Sequence, residues 1–121
     1  MTDARRKTGA SGEELAAHYL TRRGWTVVAR NWRCPSGEID LIARDPDGFA
    51  VLVEVKCRRG LGFGDPLEAI TYDKVRRLRR LAAEWLASLD HAVPFVRLDA
   101  VGVLTFPDGT SRVTHVRGIG A

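Results

Sequence analysis

Gly37-Glu38-Ile39-Asp40-Leu41-Ile42-Ala43-Arg44-Asp45-Pro46-Asp47-Gly48-Phe49-Ala50-Val51-Leu52-Val53-Glu54-Val55-Lys56 is the stretch whose reading decides the fold. Two apolar-rich runs flank a turn in which proline presets one central dihedral and glycine accepts the left-handed one. Pro46-Asp47-Gly48 has the form of a three-residue hairpin loop, a type I turn closed by a left-handed glycine. That loop sets Asp45 opposite Phe49. Counting back along the ladder then sets Ile42 against Leu52, Asp40 against Glu54 and Glu38 against Lys56.

Side chains alternate along a strand with period two. The first run therefore places Glu38, Asp40 and Ile42 on one face and Ile39, Leu41 and Ala43 on the other, while the second places Leu52, Glu54 and Lys56 opposite Val51, Val53, Val55 and Cys57. Like charges about 5 Å apart across a strand pair are destabilising, and a buried carboxylate needs a compensating cation. A bound Mg²⁺ or Mn²⁺ resolves the conflict, since such hard cations take carboxylate, water and phosphate oxygens. Lys56, two residues beyond Glu54, is placed to orient or deprotonate an attacking water or to stabilise charge on a phosphoryl group. The competing reading is a solvated face carrying ordinary surface ion pairs such as Glu38–Lys56.

Working outward, residues 11–23 read as a helix with Ser11 as N-cap, Glu14 three residues on, and Leu15, Ala16, Tyr19 and Leu20 on one face. Glu13 falls beside the Ala16/Leu20 stripe and Glu14 on the solvent side, which makes Glu13 the better third ligand. Trp25–Ala29 reads as a first strand and Asn31–Gly37 as a connection. After the hairpin, Arg59–Pro66 with its three glycines reads as a mobile loop. A long helix runs from Leu67 or Thr71 to Ser88, with Val75, Leu78, Leu81, Ala82, Trp85, Leu86 and Leu89 on its apolar face. Phe95–Thr105 and Ser111–Val116 close the chain as strands. The expected order is helix, three strands, helix, two strands.

The 121 residues, 45% hydrophobic and 28% charged, suit a single domain that folds without disulfides or a structural metal. Residues 1–10, with Arg5, Arg6 and Lys7, read as a flexible basic tail rather than a leader, because no apolar segment follows. The longest apolar stretch, Phe49–Val53, is too short to span a bilayer, so a cytoplasmic protein without a membrane partner is expected. Cys34 and Cys57 form no CxxC and have no neighbouring histidine, which argues against zinc. The net charge of +4 favours a polyanionic partner.

Gly37-Glu38-Ile39-Asp40-Leu41-Ile42-Ala43 followed by Val53-Glu54-Val55-Lys56 resembles the YraN-type family of bacterial proteins. Glu13 with Ala16, Tyr19 and Leu20, Asn31 with Arg33, Arg58, Gly64-Asp65-Pro66 and Lys74 extend the resemblance over roughly residues 9–105. That family is similar to the restriction-endonuclease-like, PD-(D/E)xK superfamily, which implies an α/β fold: an αβββαβ core with a mixed sheet flanked by helices. The resemblance further implies that Asp40 is the motif aspartate, Glu54 and Lys56 the (D/E)xK pair, and Glu13 the helix acid used by Holliday-junction resolvases. Here Ile39 precedes the aspartate where the motif has proline.

Between Lys56 and Arg80 stand eight basic residues, Lys56, Arg58, Arg59, Lys74, Arg76, Arg77, Arg79 and Arg80, against Asp65, Glu68 and Asp73. Arginines opposite the apolar face of the long helix are candidates for phosphate contact, which positions DNA without reading bases. Trp25, Trp32 and Trp85 read as packing residues, Trp32 being the one best placed to do more. His18, His91 and His115 join no visible triad. The leading expectation is a Mg²⁺- or Mn²⁺-dependent endonuclease acting on DNA, branched or structured DNA included. A dimer would suit a junction cutter, because it places two sites on two strands. Two alternatives compete with it: a non-catalytic nucleic-acid-binding module in a repair, recombination or DNA-uptake assembly, and a partner-binding domain that leaves the carboxylate pair unused.

Overall fold

In a computed structural model, which describes residues 4–60 and 66–120, the elements follow in the order α1 (Ala4–Arg22), β1 (Thr26–Cys34), β2 (Gly37–Arg44), β3 (Ala50–Arg59), a 3-10 turn (Pro66–Ala69), α2 (Tyr72–Ser88), β4 (Val96–Thr105) and β5 (Ser111–Val116). The strands form one five-stranded sheet in sequence order. β3 and β4 pair in parallel, joined by the crossover through α2, and every other neighbouring pair is antiparallel. The expected α/β fold with a mixed sheet and flanking helices is therefore the observed one, in the arrangement of a restriction-endonuclease-like core.

The two faces of the sheet are covered separately. Ala16, Ala17 and Leu20 of α1 pack on Leu41, Val51, Val53 and Val101. On the other face, Leu78, Leu81 and Trp85 of α2 pack on Ile39, Ile42, Leu52 and Leu98. A central strand buried on both sides needs apolar residues at nearly every position, and Ala50–Val55 is apolar except at Glu54. Each fully buried leucine in these layers contributes about 2 kcal/mol. α2 begins where Thr71 caps it, its side chain accepting from the Lys74 N–H at 3.3 Å.

The hairpin forms as its loop predicts: Gly48 takes φ 90°, its N–H donates to the Asp45 carbonyl, and the Asp45 N–H donates to the Phe49 carbonyl. The Asp45 carboxylate also accepts from the Asp47 and Phe49 N–H groups, both at 3.0 Å. The expected register holds from Arg44↔Ala50 to Leu41↔Val53.

Three expectations need correction. α1 begins at Ala4, so the backbone through the expected basic tail is helical and Ser11 lies inside the helix rather than capping it. The residues read as a connection, Asn31–Gly37, are largely strand, because pairing with β2 (Trp32↔Ile39, Arg33↔Glu38) supplies the hydrogen bonds that outweigh poor local propensity. Ile39 packs on the α2 face with Ile42, not with Leu41 and Ala43. The expected mobile loop falls mostly at positions 61–65, outside the described residues.

A charged network ties β4 and β5 to the hairpin turn. Asp99, fully buried, receives Arg97 Nε at 2.8 Å and Nη2 at 3.0 Å, the Gly118 N–H at 3.0 Å, and lies 2.8 Å from His115 Nε2. Arg97 also reaches Asp45 at 3.1 Å. Burial alone would raise the pKa of Asp99, but His115, Arg97 and the Gly118 N–H outweigh it and hold the value at about 2. His115, which the sequence leaves without a partner, thus has a structural one, and its ring meets Trp25 and Tyr19 edge-on.

Candidate acid and lysine site

β3 stays paired with β4 along its whole length, but its pairing with β2 stops at Leu41↔Val53. Beyond that point the Asp40 side chain takes over, Oδ2 accepting from the Val55 N–H at 2.8 Å. A carboxylate here does the work of a ladder carbonyl. Across β1 the matching irregularity is Asn31, whose φ of 51° lies in the left-handed region. Asparagine is among the few non-glycine residues that enter it readily. The break also moves Ile39 to the α2 face.

The structure brings Asp40 and Glu54 together, close enough for the Asp40 carboxyl to act directly on that of Glu54. Glu54 is only 7% exposed, and its Oε2 has no hydrogen-bond partner. Burial first, then the bond and charge of Asp40, push its pKa up to about 7, against the opposing pull of Lys56 and Arg77. Glu13 stands close by on α1, where it is partly buried. Burial and the Asp40 charge raise its pKa, while a hydrogen bond from Asn31 lowers it. Among the described residues, no three Asp, Glu, His or Cys side chains converge on one point. Glu13 therefore flanks the acid pair without completing a cage.

Lys56, also partly buried, stands next to Lys74 of the first turn of α2, and its side chain and charge lower the pKa of Lys74. Two ammonium groups side by side make a site for an anion. Glu38 binds Arg33 of β1 at 2.7 Å, not Lys56 as the extended register would have it; the ladder ends before reaching that position. Of the other candidate cations, Arg77 acts on Glu54, Arg76 stands by Tyr72, Arg80 and Arg59 are exposed, and Arg58 donates to the Cys57 carbonyl at 3.0 Å. Trp25 and Trp85 are buried in the core and Trp32 packs partly against the α2 layer, so all three serve packing.

Asn31 has a role that strand patterning misses. Its signal is an asparagine in a strand at the position facing an aspartate, where a left-handed residue can turn its side chain toward the neighbouring helix.

A mixed sheet carrying two neighbouring carboxyl groups, with a lysine pair at their side, defines an α/β protein with an acid-and-cation site at the split between two strands. The chain belongs to the uncharacterised protein family UPF0102, matched over residues 12–103. It is 54% identical to a UPF0102 protein of Beutenbergia cavernae over 93% of this chain and 94% of the relative. It is 52% identical to one of Nocardia farcinica, over 92% and 87%. The figures for one of Mycobacterium avium are 48% identity over 98% and 94%.

Proposed function

We propose that the chain is a metal-dependent endonuclease of the PD-(D/E)xK type that hydrolyses phosphodiester bonds in DNA. One observation carries the reading: the fold leaves two like-charge conflicts side by side, a carboxyl pair with a buried unpartnered oxygen and a pair of lysine ammoniums. A divalent cation relieves the first, and a phosphate relieves the second.

The donor set fits Mg²⁺ or Mn²⁺, for which carboxylate oxygens are the ordinary protein ligands and phosphate oxygens the ordinary substrate ligands. Asp40 and Glu54 would hold the ion, with Glu13 placed to accept a proton or to hydrogen-bond water at its edge. A metal bound there supplies Lewis acidity toward the phosphoryl group and a more acidic water. Asp40 is held in place by the Val55 N–H, which leaves its orientation little freedom. Lys56 and Lys74 provide positive charge where the phosphoryl oxygens gain negative charge during attack. Arg77 supports the same charge from α2.

The test is a cleavage assay on linear, flapped and four-way DNA with Mg²⁺ or Mn²⁺, beside Mn²⁺ binding measured by calorimetry. Asp40→Ala and Glu54→Ala should abolish both cutting and metal binding while DNA binding persists or tightens, because negative charge facing the phosphates is removed. Lys56→Ala should abolish cutting and leave metal binding nearly intact, lysine being no ligand when protonated. Wild-type protein that binds DNA but shows no metal-stimulated cutting, with Asp40→Ala indistinguishable from it, would return the assignment to a non-catalytic binding module.

A further inference from the structure

On the α2 side of the sheet a groove of about 460 Å³ opens beside the acid and lysine site. Ile70, Tyr72, Val75, Val116 and Ile119 form its walls, and Ala100 lies among the lining residues. Ala100 pairs in register with Glu54 on the neighbouring strand, and backbones of paired strands lie about 4.8 Å apart. The groove and the acid pair are therefore separated by one strand and by the first turn of α2. Lys74 leaves that turn toward Lys56, whereas Tyr72 leaves it toward the groove.

Tyr72 is 72% exposed, more than any other large apolar side chain described, and Val116 beside it is 41% exposed. The Arg76 guanidinium carbon lies 6.0 Å from the Tyr72 ring centroid, and Arg79 on the groove wall donates to the Gly120 carbonyl. An exposed ring and an apolar slot would suit many ligands. Cations around them, continuous with a phosphate-type site one strand away, select a ligand with both a flat apolar part and negative charge.

We infer that this groove receives an unpaired nucleobase of the DNA strand whose phosphate lies at Asp40, Glu54 and Lys56, with Tyr72 as its stacking surface. The inference rests on the nuclease reading for the position of the phosphate, and it narrows the substrate class to single-stranded or flapped DNA and to junctions with unpaired bases. A base engaged in a duplex presents no free face to the ring. Stacking on an aromatic side chain tolerates any base, so the groove selects for absence of pairing rather than for sequence.

Binding in EDTA tests it without cleavage, using a short labelled single strand and the blunt duplex of the same sequence with wild type, Tyr72→Ala and Tyr72→Phe. Tyr72→Ala should weaken single-strand binding by about tenfold or more, in line with the loss of one base–aromatic stack. Duplex binding should stay unchanged and Tyr72→Phe should match wild type. A 2-aminopurine in the single strand should be quenched on binding by wild type and not by Tyr72→Ala. Equal effects on both DNAs, no effect on either, or a change in self-association by sedimentation in place of a change in DNA binding would overturn the inference. These outcomes are separate from the nuclease reading: metal-dependent cutting lost in Asp40→Ala but indifferent to Tyr72 sinks the groove alone, and Tyr72-dependent binding without cutting sinks the nuclease alone.

Discussion

Glu54 is buried beside Asp40, and burial and that neighbour make it respond to pH near neutrality. Its carboxyl ordinarily titrates at 4.5 and in the fold at about 7, so between those values the folded state binds more protons than the unfolded one. Stability must then fall as pH rises through that window and level off above it. The size of the effect, at about 1.4 kcal/mol for each unit of pKa, is on the order of 3 kcal/mol. In metal-free buffer, urea midpoints of the wild type should drop between about pH 5 and pH 8, whereas Glu54→Gln should lose most of that slope and be the more stable protein at the alkaline end. Excess Mg²⁺ should restore the wild type at pH 8, since a ligand that binds only the folded state stabilises it. Equal slopes for the two proteins would show that Glu54 titrates normally. That Asp40 and Glu54 come together was legible in the sequence, because the Pro46-Asp47-Gly48 loop fixes the register of the strands that carry them. The break at Asp40 was not, because it depends on a side chain replacing a backbone acceptor and on the backbone of Asn31, neither of which alternation records.

Between the elements, α1 approaches β3 closely at Gly12, where an added Cβ would fall well inside van der Waals contact with Cys57 Sγ. Alanine is the better helix former by about 1 kcal/mol, yet Gly12→Ala should destabilise the protein, by about 1–3 kcal/mol as overpacked contacts do. Cys57→Ala in the same chain should recover part of the loss, because it removes the sulfur but not Cβ, so thermal unfolding of the double variant should show coupling between the sites. A neutral or stabilising Gly12→Ala would mean the helix stands further from the sheet. Glu13 is the next residue, so this packing also sets how near its carboxyl comes to Asp40. At this scale the sequence showed which runs were helix and strand wherever periodicity was long, as in β3 and α2. It failed at the end of β1, where Asn31, Pro35 and Ser36 give the segment the composition of a loop and only the partner strand makes Asn31–Cys34 a strand.

Across the molecule, the long helix presents its arginines outward while its leucines hold the sheet. Arg76 and Arg80 are exposed, whereas the charge of Arg77 reaches Glu54. If the outward face contacts phosphates, replacing Arg76 and Arg80 together by alanine should weaken DNA binding and reduce the slope of log affinity against log salt by about 2, nearly one for each phosphate no longer neutralised. Mn²⁺ binding should not change. Anisotropy titrations over a range of salt read both the affinity and its slope, and an unaltered slope would place the DNA elsewhere. No helix among the described residues is long and apolar enough to cross a membrane.

The parallel pairing of β3 with β4 also sets a timetable. β2 and β3 are neighbours in the chain and join through a tight turn, the kind of hairpin that closes within about ten microseconds. β4 finds β3 only after the whole crossover, including α2, has been synthesised and the larger loop closed, and such non-local pairing is the slow part of folding. The carboxylates thus belong to the early half of the nascent chain, while Lys74 and the arginines of α2 come with the late half. A partly made chain carries the acids without the cations of α2, so the site becomes complete only when the molecule does.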